Sequence, residues 1–318
     1  MFGRKLLHTT LEPKSLMNKP LSPPSPIPSF QLDATGPPLH FLHANGYPPE
    51  CYQPFLELLK TQYHVFGMLL RPLWPDSDPT KIRDWHPFSD DLLNFLANTN
   101  NTPVIGVGHS IGAVVTLRAA LRDPGRFRAL ILLDPVLFVP SRLLIWILVR
   151  TMGLSNKVHP KIPGALKRRR HFDDLDLVFR GYRNREVFRY MSDDNLKTYI
   201  EGITRRTEHG YELVYSPEWE SHIYLTGLRD FDIWRGLPEL RVPTLFIRGA
   251  ETDTFLENAA RFVQRKQPRA RVETLPQSTH LLPLERPQEV FDLMQSFLQK
   301  TLNVLPRELQ TNFTGRDL

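Results

Sequence analysis

Residues 102–113 read TPVIGVGHSIGA, and this stretch decides the fold of the chain. The apolar residues 104–107 predict a buried strand, and residues 113–121 have the pattern of a helix. Between them lies a Gly-x-Ser-x-Gly turn, residues 108–112, with Ser110 at its centre. Such a turn holds the serine in a strained backbone conformation that directs its hydroxyl away from the sheet, and only glycine lets the flanking segments pack so closely. We therefore interpret Ser110 as a nucleophile; the alternative is a serine that only caps the helix.

A serine hydroxyl becomes a good nucleophile when a histidine removes its proton and a carboxylate orients that histidine. Residues 242–255, VPTLFIRGAETDTF, predict a strand and a following loop that presents Asp253. A further strand, RVETLP, precedes a loop that contains His280. The chain order nucleophile, acid, base is typical of the strained-turn architecture. Asp134, at the end of the apolar run LILLD, is a rival for the carboxylate because it also follows a strand.

Four segments in this order resemble the motifs of α/β-hydrolase fold enzymes, between about Leu39 and Leu298. HFLHANGYPP resembles the family's His-Gly-x-Pro turn, GVGHSIG its nucleophile elbow, FIRGAETD its acid loop and STHLLPLERPQEV its histidine loop. The resemblance, to serine hydrolases of the esterase and lipase type, implies an α/β fold. Its mostly parallel central sheet should have helices on both faces and an inserted helical cap. The resemblance also implies that Ser110 is the nucleophile, His280 the general base and Asp253 the orienting acid.

The resemblance further implies an oxyanion hole of two backbone amides. One amide follows the nucleophile and belongs to Ile111. The other should belong to Tyr47, which follows Asn45 and Gly46 where the family has His-Gly. The amides of Asn45 and Gly46 are alternatives if the turn is one residue out of register. We also expect Asn45 to contact the substrate.

The pattern of the chain predicts five segments. Residues 1–29 are polar and rich in proline, so we expect a flexible tail. The hydrolase core should form two halves, 30–138 and 236–300, because strand and helix patterns alternate in both. Between them, residues 139–235 consist of helix-like segments, which is typical of an inserted cap. Residues 301–318 are expected to form a C-terminal tail.

The predicted cap accounts for the net positive charge of the chain. Residues 141–210 have 15 Lys and Arg against 8 Asp and Glu, whereas the whole chain carries +6. Residues 143–149, LLIWILV, are apolar on all sides, so this helix should line the substrate pocket, pack on the core or contact a bilayer surface. We expect Trp146 to line the pocket, together with Trp74 of the aromatic, proline-rich loop in the core. The basic run 167–170 suggests an anion-binding patch or, alternatively, a solvated turn.

Composition and motifs narrow the range of partners. We expect a small, hydrophobic acyl substrate and neither metal nor cofactor, because acyl transfer by an activated serine needs neither. No nucleic-acid motif accompanies the basic residues, and no apolar run reaches the roughly 20 residues of a membrane span, so we expect neither nucleic-acid binding nor stable membrane insertion. The single cysteine, Cys51, and the lack of a signal-like apolar run near Met1 favour a cytoplasmic location. The sequence does not indicate the oligomeric state.

Together these observations predict a serine hydrolase that cleaves a carboxylic ester through an acyl-enzyme on Ser110. A thioesterase, a lactonase or an acyltransferase would use the same triad, and a non-catalytic ligand sensor can retain all of it. A dinucleotide-binding unit is a remote alternative, because Gly106, Gly108 and Gly112 follow a strand and Asp134 ends the next one. The third glycine comes four positions after the second instead of three, which disfavours this alternative.

Overall fold

The computed structural model describes residues 26–99 and 102–303. Most of both predicted tails lies outside these residues. Where the predictions and the structure overlap, the first strand already begins at Ser29 and the last helix continues to Asn303. The folded core therefore extends slightly beyond both predicted boundaries.

Within the described residues the chain forms ten strands and thirteen α-helices. The strands are β1 (Ser29–Gln31), β2 (Pro38–Leu42), β3 (His64–Met68), β4 (Val104–His109), β5 (Phe127–Leu133), β6 (His171–Phe172), β7 (Thr204–Thr207), β8 (Gly210–Leu213), β9 (Thr244–Gly249) and β10 (Arg271–Leu275). The helices are α1 (Gln53–Lys60), α2 (His86–Thr99), α3 (Ile111–Arg122), α4 (Pro140–Thr151), α5 (Ser155–Val158), α6 (Ile162–Leu166), α7 (Leu175–Arg183), α8 (Asp193–Ile203), α9 (Pro217–Thr226), α10 (Phe231–Gly236), α11 (Glu257–Lys266), α12 (Leu282–Glu285) and α13 (Pro287–Asn303).

Seven strands form the central sheet, in the order β1-β3-β2-β4-β5-β9-β10. All neighbours are parallel except β1 and β3, which pair antiparallel from Ser29 with Met68 to Gln31 with Phe66. The strands are apolar almost throughout because helices cover both faces of the sheet. Since β4 lies between β2 and β5, the loops that follow these three strands meet at the same edge of the sheet.

Two apolar clusters fill the two sides of the sheet. One includes Phe88 of α2, Val114 of α3 and Ile233 of α10. The other includes Phe55 of α1 and Met294 of α13, and it continues into buried side chains of the cap. Burial of each large apolar side chain stabilises the fold by about 1.5 to 3 kcal/mol, so these clusters fix the sheet between its two layers of helices.

The cap lies between β5 and β9 and contains α4 to α9. It also contains a three-stranded antiparallel sheet, β6-β8-β7, which the sequence analysis did not predict. Strands of two to four residues are too short to show alternation of apolar and polar positions. Helix α10, predicted to belong to the cap, instead packs on core helix α3, and its Trp234 contacts Phe262 of α11 with ring centroids 4.8 Å apart.

Candidate active site

Ser110 occupies the sharp turn between β4 and α3. Its φ is +59°, a left-handed conformation that non-glycine residues adopt only where the surrounding structure enforces it. The enforcement comes from close packing: a Cβ on Gly108 would lie 2.5 Å from the Gly112 carbonyl oxygen, and one on Gly112 would collide with the Leu42 carbonyl oxygen. The predicted need for glycine on both sides of Ser110 therefore has a direct steric cause.

His280 lies in the loop between β10 and α12 and faces Ser110. Its Nε2 is 2.9 Å from Ser110 Oγ, and its Nδ1 is 2.7 Å from Asp134 Oδ2. Asp134 follows β5 and is fully buried. Its carboxylate also accepts hydrogen bonds from the Gly249 amide, at 3.1 Å, and from the Thr252 hydroxyl, at 2.5 Å. A hydroxyl, an imidazole and a carboxylate thus form one hydrogen-bonded line.

The prediction that Asp253 orients the histidine is wrong in this geometry, because Asp134 holds that position. Asp253 instead forms an ion pair with Lys161 of the cap, at 3.1 Å, and its side chain is 65% exposed. The two aspartates follow neighbouring strands, β5 and β9, so both reach the same edge of the sheet. The β9 loop supports the carboxylate through Thr252 rather than supplying it.

A second buried histidine holds the backbone of the His280 loop. His109 Nε2 donates to the His280 carbonyl oxygen, at 2.8 Å, because that oxygen can only accept. His109 Nδ1 therefore accepts from the Tyr52 hydroxyl, at 2.7 Å, and this hydroxyl in turn accepts from the Ala44 amide, at 3.2 Å. Burial, with the adjacent His280, keeps the pKa of His109 well below its ordinary value, so its ring is neutral. Sequence reasoning missed this role because the variable position of a Gly-x-Ser-x-Gly turn carries no fixed chemistry.

The turn after β2 differs from the predicted oxyanion geometry. The Tyr47 amide donates to the Ala44 carbonyl oxygen, at 3.3 Å, so it closes the turn and does not point into the site. Asn45 lines the cavity as expected, but its side chain is held by the cap. Its Nδ2 donates to the Glu220 carbonyl oxygen at 3.1 Å, and its Oδ1 accepts from the Tyr215 hydroxyl at 2.9 Å. Ile111 lines the same cavity at the N-terminus of α3, where first-turn amides have no helical partner.

A cavity of about 800 Å³ lies between the core and the cap, and Ser110 and His280 are part of its wall. Trp146 lines the cavity, as predicted. Trp74 does not line it, because its indole N–H donates to the Leu69 carbonyl oxygen, at 2.6 Å, within its own loop. Trp85 of the same loop lines the cavity instead.

The wall of the cavity has two chemical characters. Part of the wall is apolar and aromatic, and part of it carries charged side chains, some of which pair between the core and the cap. The apolar part includes Trp85, Val136, Phe138, Trp146 and Ile223; the charged part includes Lys161, Glu186, Arg189, Glu251 and Asp253. The site therefore suits a mostly hydrophobic molecule with a polar end.

The sequence model of the alpha/beta hydrolase family matches residues 41–293 of this chain. The chain belongs to the alpha/beta hydrolase family. This match covers most of the described residues and confirms the family and fold class that the four motifs indicated.

Solved structures share this alpha/beta hydrolase fold. E-2-(acetamidomethylene)succinate hydrolase is similar with a TM-score of 0.67 and 19% identity, over 86% of this chain and 99% of that one. An esterase of M. tuberculosis is similar with a TM-score of 0.65 and 16% identity, over 85% of this chain and 88% of that one.

Ethanol acetyltransferase 1 of Hanseniaspora uvarum is 20% identical over 228 residues, which are 68% of this chain. This chain spans 65% of the length of that acetyltransferase.

Across residues 26–99 and 102–303, no group of three or more His, Cys, Asp or Glu side chains is arranged to hold a metal ion. In the same part of the chain, no helix is both long and apolar enough to cross a bilayer.

Proposed function

We propose that the protein is a serine hydrolase that cleaves carboxylic esters or related acyl compounds through an acyl-enzyme on Ser110. The observation that carries this proposal is the hydrogen-bonded line from Ser110 through His280 to Asp134. This arrangement activates a serine because the base lies within reach of the hydroxyl proton, and a buried carboxylate fixes the orientation of the base.

In the proposed mechanism, Ser110 Oγ attacks the acyl carbonyl carbon while its proton moves to His280 Nε2. Asp134 accepts the hydrogen bond from His280 Nδ1, so the lone pair of Nε2 faces the serine, and the carboxylate then stabilises the imidazolium. His280 passes the proton to the departing alkoxide, which leaves as an alcohol. A water molecule next gives a proton to Nε2 and attacks the acyl-enzyme, and Ser110 recovers its proton when the carboxylic acid leaves.

We assign the oxyanion hole to the backbone amides of Ile111 and Asn45. Ile111 supplies a free first-turn amide beside the nucleophile. Asn45 replaces Tyr47 as the second donor because the Tyr47 amide is bound to the Ala44 carbonyl. Each such donor is worth about 3 to 4 kcal/mol of transition-state stabilisation, so the register of this turn matters to the rate.

The cavity supports a substrate with a hydrophobic acyl or alcohol part. Its volume of about 800 Å³ suits a medium-sized organic molecule, and much of its wall is aromatic or aliphatic.

A fluorophosphonate probe tests the proposal directly. We expect the probe to modify Ser110, as mapped by peptide mass spectrometry, and the protein to turn over short p-nitrophenyl esters. Prior treatment with the probe should abolish that turnover. Labelling at another serine, or tight saturable binding of esters without turnover, would contradict the hydrolase proposal; the second result would indicate a ligand sensor.

Acyl transfer to an alcohol is a second candidate, favoured by the similarity to the acetyltransferase. The same acyl-enzyme would form on Ser110, but an alcohol rather than water would attack it. The two functions differ in the partition of products. In the presence of ethanol, a hydrolase should release mainly the free acid, whereas a transferase should release mainly the ethyl ester, which gas chromatography separates.

A further inference from the structure

The exposed apolar side chains of this protein are concentrated in the cap. All eight large apolar side chains that are exposed within the described residues lie between positions 144 and 187, and the core has none. Four of them lie on α4, each about three-fifths exposed: Leu144, Ile145, Leu148 and Met152. Their helical spacing places them on one stripe, while Leu143 and Trp146 on the opposite side are buried. Helix α4 therefore presents an apolar stripe to the outside.

The stripe continues to the mouth of the active-site cavity. Ile145 of α4, Val158 of α5 and Val187 all line the cavity, yet each is about half exposed or more. Trp146 of α4 contacts His159, the residue after α5, edge to face with ring centroids 5.1 Å apart. We call the α4 stripe together with Val158 the apolar face of the cap.

The segment that carries the apolar face is rich in positive charge. Residues 135–172 contain eight Lys and Arg and not one Asp or Glu. Some of these cations are paired with acids elsewhere, such as Arg168 with Glu220. Arg142 and Lys157 are exposed and form no ion pair within the described residues. The acids that line the cavity are each paired with Arg189 or Lys161. An exposed apolar stripe with unpaired cations, on a segment that has no acid of its own, is the composition that binds an anionic bilayer surface. A second copy of the same face would bring like charges together, which disfavours self-association.

We propose that the apolar face docks the cap onto an anionic phospholipid bilayer, with α4 lying in the plane of the interface. Helix α4 has 12 residues, about 18 Å, so it is too short to span the bilayer and would insert only its stripe. Docking would bring the cavity mouth to the lipid surface, because Ile145 and Val158 belong both to the apolar face and to the cavity wall. On the proposed function, a hydrophobic acyl substrate would then pass from the bilayer to Ser110 without crossing water.

Vesicle sedimentation tests the docking without any need for activity. The full chain carrying Ser110→Ala is mixed with vesicles of phosphatidylcholine alone or with phosphatidylserine added. We expect binding to the vesicles that contain phosphatidylserine, weaker binding to the neutral ones, and release at high salt because screening removes the charge attraction.

Two variants in the Ser110→Ala background separate the apolar and the charged contributions. The triple change L144S, L148S, M152S removes the stripe without touching a residue that lines the cavity, and should lower the partition coefficient roughly tenfold or more. Lys157→Gln should lower it roughly fivefold on vesicles with phosphatidylserine. Lys300→Gln, an exposed lysine on the far helix α13, is the matched control and should have no effect. Circular dichroism and the Tm verify that each variant folds.

The outcomes distinguish this proposal from its rivals. Equal binding of the triple variant and its parent, or no binding to either vesicle, would overturn the docking. A dimer in light scattering that the triple variant dissociates would also overturn it, because a second copy would then cover the face. Vesicle binding by the Ser110→Ala chain, combined with no acyl turnover by the unmodified chain, would leave the docking intact and remove only the proposed hydrolase function.

Discussion

The core buries its large apolar side chains, whereas the cap leaves several of them exposed. In the core, apolar residues are buried and the polar groups around Ser110 form short hydrogen bonds to one another. In the cap, large apolar residues are exposed, and several contacts with the core are ion pairs, such as Lys161 with Asp253 and Arg189 with Glu251. The core thus fixes a chemical geometry, whereas the cap presents a surface to other molecules. Changes in the core should therefore alter turnover for every substrate, and changes in the cap should alter selectivity.

Removal of the nucleophile is the strongest test of the core. Because Ser110 and His280 act as a unit, Ser110→Ala should lower kcat by about six orders of magnitude. The Tm should change little, since the variant loses one hydroxyl. Ser141→Ala, an exposed serine of α4, is the control and should retain full turnover of soluble esters. Ester cleavage by Ser110→Ala near the original rate would refute the assignment of the nucleophile.

The two aspartates near the site give a matched comparison of core and cap. Asp134→Asn should lower kcat by about four orders of magnitude, because an amide favours the wrong tautomer of His280. Asp253→Asn should change kcat only severalfold, since that carboxylate pairs with Lys161 of the cap. Steady-state kinetics with one soluble ester measures both. A larger loss in Asp253→Asn than in Asp134→Asn would show that the acid comes from the β9 loop.

Three buried histidines should make the folded protein less stable in acid. Burial lowers the pKa of His40 to about 3 and that of His43 to about 4, and it keeps the pKa of His109 well below its ordinary value. The unfolded chain therefore binds more protons than the folded chain below about pH 6.5. The stability these neutral rings contribute is complete above that pH and is lost as the pH falls toward about 4. In this pH range, each ring should add about 1.4 kcal/mol per pH unit to the slope of the unfolding free energy against pH.

Urea unfolding between these pH values measures that slope. His40→Gln should reduce it by about 1.4 kcal/mol per pH unit, because one titrating group is removed. His209→Gln, an exposed histidine in the cap hairpin, should leave the slope as it was. An identical slope in the two variants would mean that His40 is not held neutral in the core.

The smallest expected effect concerns selectivity for the length of the ester, which substitution of two tryptophans tests. Trp146→Leu in the cap removes part of the cavity wall and should raise KM for long-chain esters roughly tenfold, with kcat for short esters nearly unchanged. Trp74→Leu, outside the cavity, should leave KM unchanged. If both substitutions raise KM equally, the cavity does not bind the acyl chain.

The sequence revealed the core better than the cap, for physical reasons. Buried parallel strands are continuous apolar runs, and the glycines around Ser110 are required by close packing, so both leave a strong pattern. No sequence pattern distinguishes Asp134 from Asp253 as the acid, because both follow strands that end at the same edge of the sheet. The Tyr47 amide closes its turn instead of facing the site, and the sequence does not indicate this because the register of a tight turn depends on backbone hydrogen bonds. The cap sheet was missed because its strands are so short.

The side chain of Asn45 links the core to the cap through two hydrogen bonds. Glu220 and Tyr215 of the cap hold both ends of this amide, while its backbone sits beside the nucleophile. A cap transplanted from a relative would bring a different pocket but would lose this grip unless it carried equivalent partners. Grafting experiments should therefore transfer both partners of Asn45 along with the cap.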